Sequence, residues 1–318
     1  MVVSFWLKNF QIVKIITTKQ KIKLKKFSFD KFREECGIFG IHNNPDAAAI
    51  TALGLHALQH RGQEAAGIVT KNNDQFHLEK RIGLVGDNFS KKSVIDKLPG
   101  NYAIGHNRYS TTGAPMLRNV QPLYADLSFG GLTICHNGNL TNAQQLKESL
   151  VKSGSIFHTT SDTEVMIHLL ARSKKPNFID KLIEALSKIV GAYSFLIMTK
   201  DLMIGVRDPN GVRPLVIGEL RKNSKVLASE TVALDMVDAK FIREVKPGEI
   251  VVLPNKKELK SIFPFEKKEK KFCIFEYIYF SRPDTTHENQ SVYEIRKAVG
   301  QELARESGVA ADYVCPVP

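Results

Sequence analysis

Glu34-Glu35-Cys36-Gly37-Ile38-Phe39-Gly40-Ile41 constrains this chain more than any other stretch. Two acids and a cysteine lead into a short apolar run that reads as a buried strand, and a single buried strand needs sheets around it. The remaining sequence supplies them. Strands are expected at 66–69, 75–80, 102–106 and 132–136, then near 192–199, 202–206, 215–218, 226–229 and 249–253. Helical spacing falls between them. After the Asn44-Pro45-Asp46 turn come Ile50, Leu53, Gly54, Ala57 and Leu58, and further helices are expected at about 141–152, 161–173 and 178–189. The helix at 161–173 opens with Ser161 and Glu164, a capping-box pair, and offers Val165, Met166, Leu169 and Leu170 for burial. Many strands with interspersed helices argue for stacked sheets covered by helices.

The two ends of the chain differ from this middle. Residues 1–30 are apolar and lysine-rich without helical regularity, and Lys8 and Lys14 break the patch at Phe5 and Trp6 too soon for a secretory signal. The net charge of +12 is concentrated in Lys8–Lys26 and in Lys256–Lys271, a leader and a linker. Neither is a basic face interleaved with aromatics, so nucleic acid is not expected as a partner. No apolar run approaches the roughly 18 residues of a membrane span, so no membrane partner is expected either. Four cysteines without a CxxC pair fit a reducing, cytoplasmic setting. The basic leader leaves organellar targeting open. Residues 254–272, with their lysines, glutamates and Pro264, read as a linker. Beyond it come a strand at 273–284, a helix at about 291–306 and a strand at Tyr313-Val314-Cys315. That is too little for a closed core, so the chain is expected to stop inside a domain.

Several residues point to chemistry, each with a plainer reading beside it. Cys36 reads as a structural cysteine or, once residues 1–35 are removed after Glu35, as a nucleophile with its own α-amine beside it. Such an amine has a pKa of about 7.7–8.0 and accepts a proton near neutrality, so one residue supplies nucleophile and base. Asn137-Gly138 offers a carboxamide and a backbone N–H to a developing oxyanion, and equally reads as a hairpin turn. If the amide attacked is that of free glutamine, Arg108 suits its α-carboxylate, with Thr111 adding a hydroxyl, and Asp162 suits its α-ammonium. The alternatives are a surface ion pair for Arg108 and a helix-start acid for Asp162.

Taken together, EECGIFGI, LQHRGQEAAGI, GHNRYSTTG, HNGNL, SDTEV and DPNGVRPL resemble the N-terminal-nucleophile glutaminase domain of class II glutamine amidotransferases over about residues 31–255. Within that class, RYSTTG, LASETVALD and CIFEYIYFSRPD are similar to the amidophosphoribosyltransferase branch of purine synthesis. The resemblance implies an α+β fold, a four-layer αββα sandwich, followed by the beginning of an α/β phosphoribosyltransferase domain. It divides the chain into a leader or propeptide (1–35), a glutaminase domain (36–265) and a linker with a truncated second domain (266–318).

By the same resemblance, Cys36 is the nucleophile, Asn137 and Gly138 the oxyanion hole, and Arg108, Thr111 and Asp162 the glutamine clamp. Arg61 orders the site. Cleavage between Glu35 and Cys36 activates the enzyme. Tyr277, Tyr279 and Arg282 resemble the segment joining the two domains near an ammonia route. In the full-length enzyme, ammonia would displace pyrophosphate from phosphoribosyl pyrophosphate (PRPP) with Mg2+, and the protein would be a homo-oligomer. The glutaminase half needs no cofactor. Cys273 matches one ligand of a [4Fe-4S] cluster carried by propeptide-bearing relatives, and a cluster needs about four thiolates. The PRPP loop is not in this sequence, so this chain is expected to hydrolyse glutamine without making phosphoribosylamine. Two alternatives stay open: the glutaminase domain of another class II amidotransferase, and an inactive regulatory or scaffold fragment.

Overall fold

The computed structural model describes residues 36–109, 116–255 and 258–315, all within one compact unit. Two antiparallel sheets stack face to face with helices on both outer faces. The first sheet has seven strands: β1 (Gly37–His42), β2 (Ala65–Asn72), β3 (Gln75–Ile82), β4 (Tyr102–Arg108), β9 (Val216–Leu220), β10 (Ser224–Ala228) and β11 (Lys240–Glu244). Their spatial order is β11-β9-β10-β1-β4-β2-β3, so β1 is central. The second sheet contains β5 (Leu123–Leu127), β6 (Gly130–Leu140), β7 (Gly191–Thr199), β8 (Leu202–Arg207), β12 (Ile250–Pro254) and β13 (Lys260–Ile262), ordered β13-β12-β8-β7-β6-β5.

Helices α1 (Ala47–Ala57), α2 (Val85–Phe89), α3 (Lys92–Ile95) and α7 (Thr231–Met236) accompany the first sheet. Against the second lie α4 (Ala143–Lys152), α5 (Thr163–Arg172) and α6 (Phe178–Lys188). Phe39, Ile41, Leu55 and Leu58 pack in the outer layer of the first sheet, while Ile38, Ile104, Cys135, Leu196 and Leu227 fill the space between sheets. Each fully buried Leu, Ile or Phe contributes roughly 1.5–3 kcal/mol. This alternation of β1, odd residues to the helices and Ile38 to the facing sheet, is why its sequence is apolar throughout. Gly54 lets α1 close onto β1, because a Cβ there would lie 2.2 Å from the Phe39 ring.

The expected layers are therefore present, with corrections in detail. The stretch read as a strand at 273–284 instead forms a π-helical turn, Glu276–Phe280. Its burial explains why: Glu276, Tyr277 and Phe280 are buried while Ile278 and Tyr279 are exposed, a helical spacing and not an alternation. Tyr313-Val314-Cys315 is exposed and forms no strand. The expected linker holds β13, an edge strand paired with β12. The capping box at Ser161 does not close. Glu164 turns back to accept the N–H groups of His158 and Thr159 at 2.8 and 2.7 Å, and Ser161 Oγ accepts the N–H of Thr163 at 3.3 Å. After the π-helical turn, a two-stranded ribbon, β14 (Thr286–His287) with β15 (Gln290–Ser291), leads into α8 (Val292–Ser307). Ser291 caps that helix and Gly308 ends it with a left-handed φ of 58°.

Candidate active site

Cys36 stands immediately before β1 and is half-buried. The strand is pinned at that end from two sides. Ile38 donates its N–H to Ser229 Oγ and accepts the Ser229 N–H, both at 3.0 Å. On the other side Gly37 pairs with Asn107, so the register brings Arg108, the last residue of β4, level with Cys36. The His60-Arg61-Gly62-Gln63 turn closes onto the same place. A Cβ on Gly62 would lie 2.6 Å from the Arg108 carbonyl carbon, so only glycine permits this approach.

The facing sheet brings β6 across β4. Cys135 Sγ lies 3.6 Å from the Gly105 carbonyl, and Asn137 and Gly138 follow on the same strand. Asn137 is fully buried, yet among the described residues neither its carboxamide oxygen nor its nitrogen has a hydrogen-bond partner. Both ring nitrogens of His106, Nη1 of Arg108 and Nε2 of His136 are also buried without partners among the described residues. Each such atom costs about 1–3 kcal/mol, so a concentration on 106–108 and 136–137 marks a place where polar groups are retained against stability. Burial pushes the His106 imidazole down to about 3, with the positive charge of Arg108 and the nearby His136 acting in the same direction, so the ring is neutral.

Asn137-Gly138 is not a hairpin turn; it lies inside β6. Gly138 has φ 141°, and a Cβ there would lie 2.1 Å from the Ala192 carbonyl oxygen of β7. Glycine is therefore required both by the backbone angle and by the space. Asp162 sits at the start of α5. Its Oδ2 accepts the Leu140 N–H at 2.9 Å, and its Oδ1 lies 3.6 Å from His136 Nδ1. Burial works against its charge, but His136 and the N–H groups of Leu140 and Thr163 prevail and hold the carboxyl below its ordinary range. Asp162 is thus an ionised carboxylate at the near end of α5.

Arg61 is fully buried and its guanidinium is already engaged. It pairs with Glu230 through Nε and with Glu276 through Nη2, and donates to Ser281 Oγ at 3.1 Å. His60 Nε2 lies 2.7 Å from Glu230, and Arg213 Nη1 lies 3.4 Å from Glu276. Burial opposes the charges of Arg61, Glu230 and Glu276, yet mutual attraction raises the Arg61 pKa and lowers both glutamates. Arg61 accordingly ties the turn beside Cys36 to the π-helical segment. Tyr277 is buried and donates its hydroxyl to the His287 carbonyl at 2.9 Å. Tyr279 is exposed, and Arg282 pairs with Asp284 at 2.7 Å.

Glu35 and Thr111 lie outside the described residues. Cys273 is half-buried and donates its N–H to the Val212 carbonyl at 3.3 Å. Among the described residues no three His, Cys, Asp or Glu side chains come together to hold a metal. A cavity of about 910 Å³ lined by His42, Asn101, Tyr102 and Asn255 lies at the opposite end of β1 from Cys36 and is separate from this site. Sequence reasoning missed His106, His136, Gln121, Glu230 and Glu276. Both histidines sit one or two residues from the arginine and asparagine it singled out, but nothing in a linear pattern tells a buried imidazole from an exposed one.

Comparison with known proteins agrees with this geometry. A family model described as "Glutamine amidotransferase domain" matches residues 106–236, the stretch from β4 through β6 to α7. The fold is that of the N-terminal-nucleophile hydrolases, and the chain carries a glutamine amidotransferase domain. More particularly, it is similar to the amidophosphoribosyltransferases. It is 49% identical over 293 residues to the Rhizobium etli amidophosphoribosyltransferase, covering 91% of this chain and 59% of that protein. A solved structure of the allosteric regulatory enzyme of purine biosynthesis superposes with a TM-score of 0.84 at 46% identity, covering 87% of this chain and 59% of that one. The Bacillus subtilis glutamine PRPP amidotransferase, solved with ADP and GMP, gives 0.82 at 46% identity and covers 87% and 60%. The chain thus spans about three-fifths of the length of the relatives it matches. Among the described residues no helix is long and apolar enough to cross a membrane.

Proposed function

We propose that this chain hydrolyses glutamine to glutamate and ammonia through a thioester on Cys36. The observation that carries the proposal is Asn137. Its carboxamide is buried without a partner among the described residues, on the strand facing the Cys36 end of β1, as an oxyanion donor awaiting its charge is expected to be.

Removal of residues 1–35 frees the α-amine of Cys36. The amine accepts the thiol proton as sulfur attacks the amide carbon of glutamine. Asn137 Nδ2 and the Gly138 N–H donate to the oxyanion. The amine then returns the proton to the leaving nitrogen, ammonia departs, and a γ-glutamyl thioester remains. Water attacks the thioester with the amine again as base, and glutamate leaves. Arg108 holds the α-carboxylate of glutamine together with Thr111, and Asp162 holds the α-ammonium. The unpartnered Nη1 of Arg108 and the ionised state of Asp162 support these two roles. Arg61 acts indirectly, by fixing the turn that closes against Arg108.

We assign residues 36–265 to this reaction and 266–318 to the approach to a second domain. The names of the relatives support ammonia passing on to PRPP in the whole protein. We take the whole protein to be a cytoplasmic homo-oligomer in which Mg2+ would serve that second reaction. No step of glutamine hydrolysis runs through a metal. The test is ammonia release from glutamine by the purified mature chain beside Cys36→Ala. The alanine variant is expected to be inactive, and equal rates would end the proposal.

A further inference from the structure

His136 has no part in the mechanism above, yet it is 2% exposed and lies directly beneath Asp162. Its ring stacks on Phe195, with centroids 4.5 Å apart, which fixes the direction of its nitrogens. Nδ1 lies 3.4 Å from Thr163 Oγ1 and 3.6 Å from Asp162 Oδ1. Gln121 closes the group from the other side. Its Oε1 accepts the backbone N–H of His136 at 2.8 Å, and its Nε2 donates to Thr163 Oγ1 at 3.0 Å. With that lone pair used, the Thr163 hydroxyl is free to donate toward Asp162 Oδ1, 3.4 Å away.

Asp162 is thereby held wholly from strand β6 and its own helix. Oδ2 takes the Leu140 N–H, and Oδ1 faces Thr163 and His136. Leu140 and His136 flank Asn137 and Gly138 on that strand. One strand therefore sets both the carboxylate and the oxyanion donors, so the spacing between them cannot drift.

We propose that His136, held at its backbone by Gln121 and at its ring by Thr163 and Phe195, is a positioning residue that aims the Asp162 carboxylate at the α-ammonium of glutamine, and so selects for amino-acid amides. The inference rests on the reading of Asp162 given above. It predicts a loss confined to ligands that carry an α-ammonium, which a general weakening of the fold would not produce.

The experiment measures covalent labelling of Cys36 in the mature chain by two electrophiles. One is a diazoketone analogue of L-glutamine, which keeps the ammonium and carboxylate; the other is iodoacetamide, which has neither. With His136→Phe, which keeps the ring stack and removes the nitrogens, diazoketone labelling is expected to need about tenfold or more higher concentration to saturate. Iodoacetamide labelling is expected to be unchanged. His136→Asn, with a side-chain N–H near the place of Nδ1, is expected to recover most of the loss. Where His136→Phe does not fold, Thr163→Val removes only the intervening hydroxyl and is expected to show the same selective loss in smaller degree. Wild-type saturation by the diazoketone in the variants overturns the proposal, and so does equal slowing of both reagents. Failure of the diazoketone to label Cys36 in the wild-type chain overturns the glutamine-site reading itself, and this inference with it.

Discussion

Replacing Arg61 by methionine tests how the turn beside Cys36 is held. The side chain keeps similar length, but the fully buried guanidinium is lost from between Glu230 and Glu276. Removing one partner of a buried ion pair costs about 3–5 kcal/mol, because the charge left behind has no water to return to. Here two carboxylates are left. His60 and Arg213 remain near them, at 2.7 and 3.4 Å, which keeps the loss within that range instead of doubling it. At roughly 2–4 °C per kcal/mol for a domain of this size, the melting temperature at pH 7 is expected to fall by about 10 °C. The pH dependence gives the sharper check. In the wild type both glutamates are held below their ordinary range by Arg61, so their contribution is complete above about pH 4.5 and is lost as pH falls below it. In Arg61→Met the same carboxyls are pushed upward and take protons more readily when folded. The gap between the two proteins is therefore expected to narrow from pH 7 to pH 5. Thermal melts by circular dichroism across that range measure it. A loss under about 1 kcal/mol, or a gap that stays constant with pH, would refute the reasoning.

Three further outcomes follow from particular residues. Gly138→Ala places a methyl group 2.1 Å from the Ala192 carbonyl at φ 141°, so glutamine turnover is expected to fall by about 10²–10³ as the oxyanion donor moves, read as kcat. His42 and His106 are held neutral by burial, down to about 4 and about 3, against an ordinary 6.5. Because the unfolded chain binds these protons more readily, stability is complete above about pH 6.5 and declines as pH falls toward 4; His42→Phe is expected to make that decline shallower in urea titrations. Arg108→Lys loses the two-pronged grip on carboxylate, so KM for glutamine is expected to rise about tenfold or more while iodoacetamide still labels Cys36.

The layers of this fold were legible because each central strand is short and apolar and each covering helix has its own periodic face. Strand β1 shows both properties: Ile38 and Phe39 are adjacent in sequence and buried in different layers, which only a strand between helices and a second sheet provides. What failed to show was set by tertiary contact. The segment at 273–284 has enough β-branched and aromatic residues for a strand, but Arg61 and Arg213 draw Glu276 inward and the chain coils around it. Glu164 has the spacing of a capping box, yet the N–H groups of His158 and Thr159 lie closer to its carboxylate. The candidate site was legible as motifs: Cys36, Arg108, Asn137-Gly138 and Asp162 fall on elements that meet at one end of the sandwich. Their support was not, since Gln121, His136 and Glu230 act through partners 15 to 169 positions away.

The requirement for a liberated amine at Cys36 is tested most directly by two chains that differ by one residue. One begins at Cys36, and the other carries a single uncleaved residue before it, so that the same nitrogen is locked in an amide. Ammonia release from glutamine at pH 7.5 is expected from the first alone, with both chains folded to the same melting temperature. Equal turnover by the two chains would contradict the account, for the base would then have to lie elsewhere.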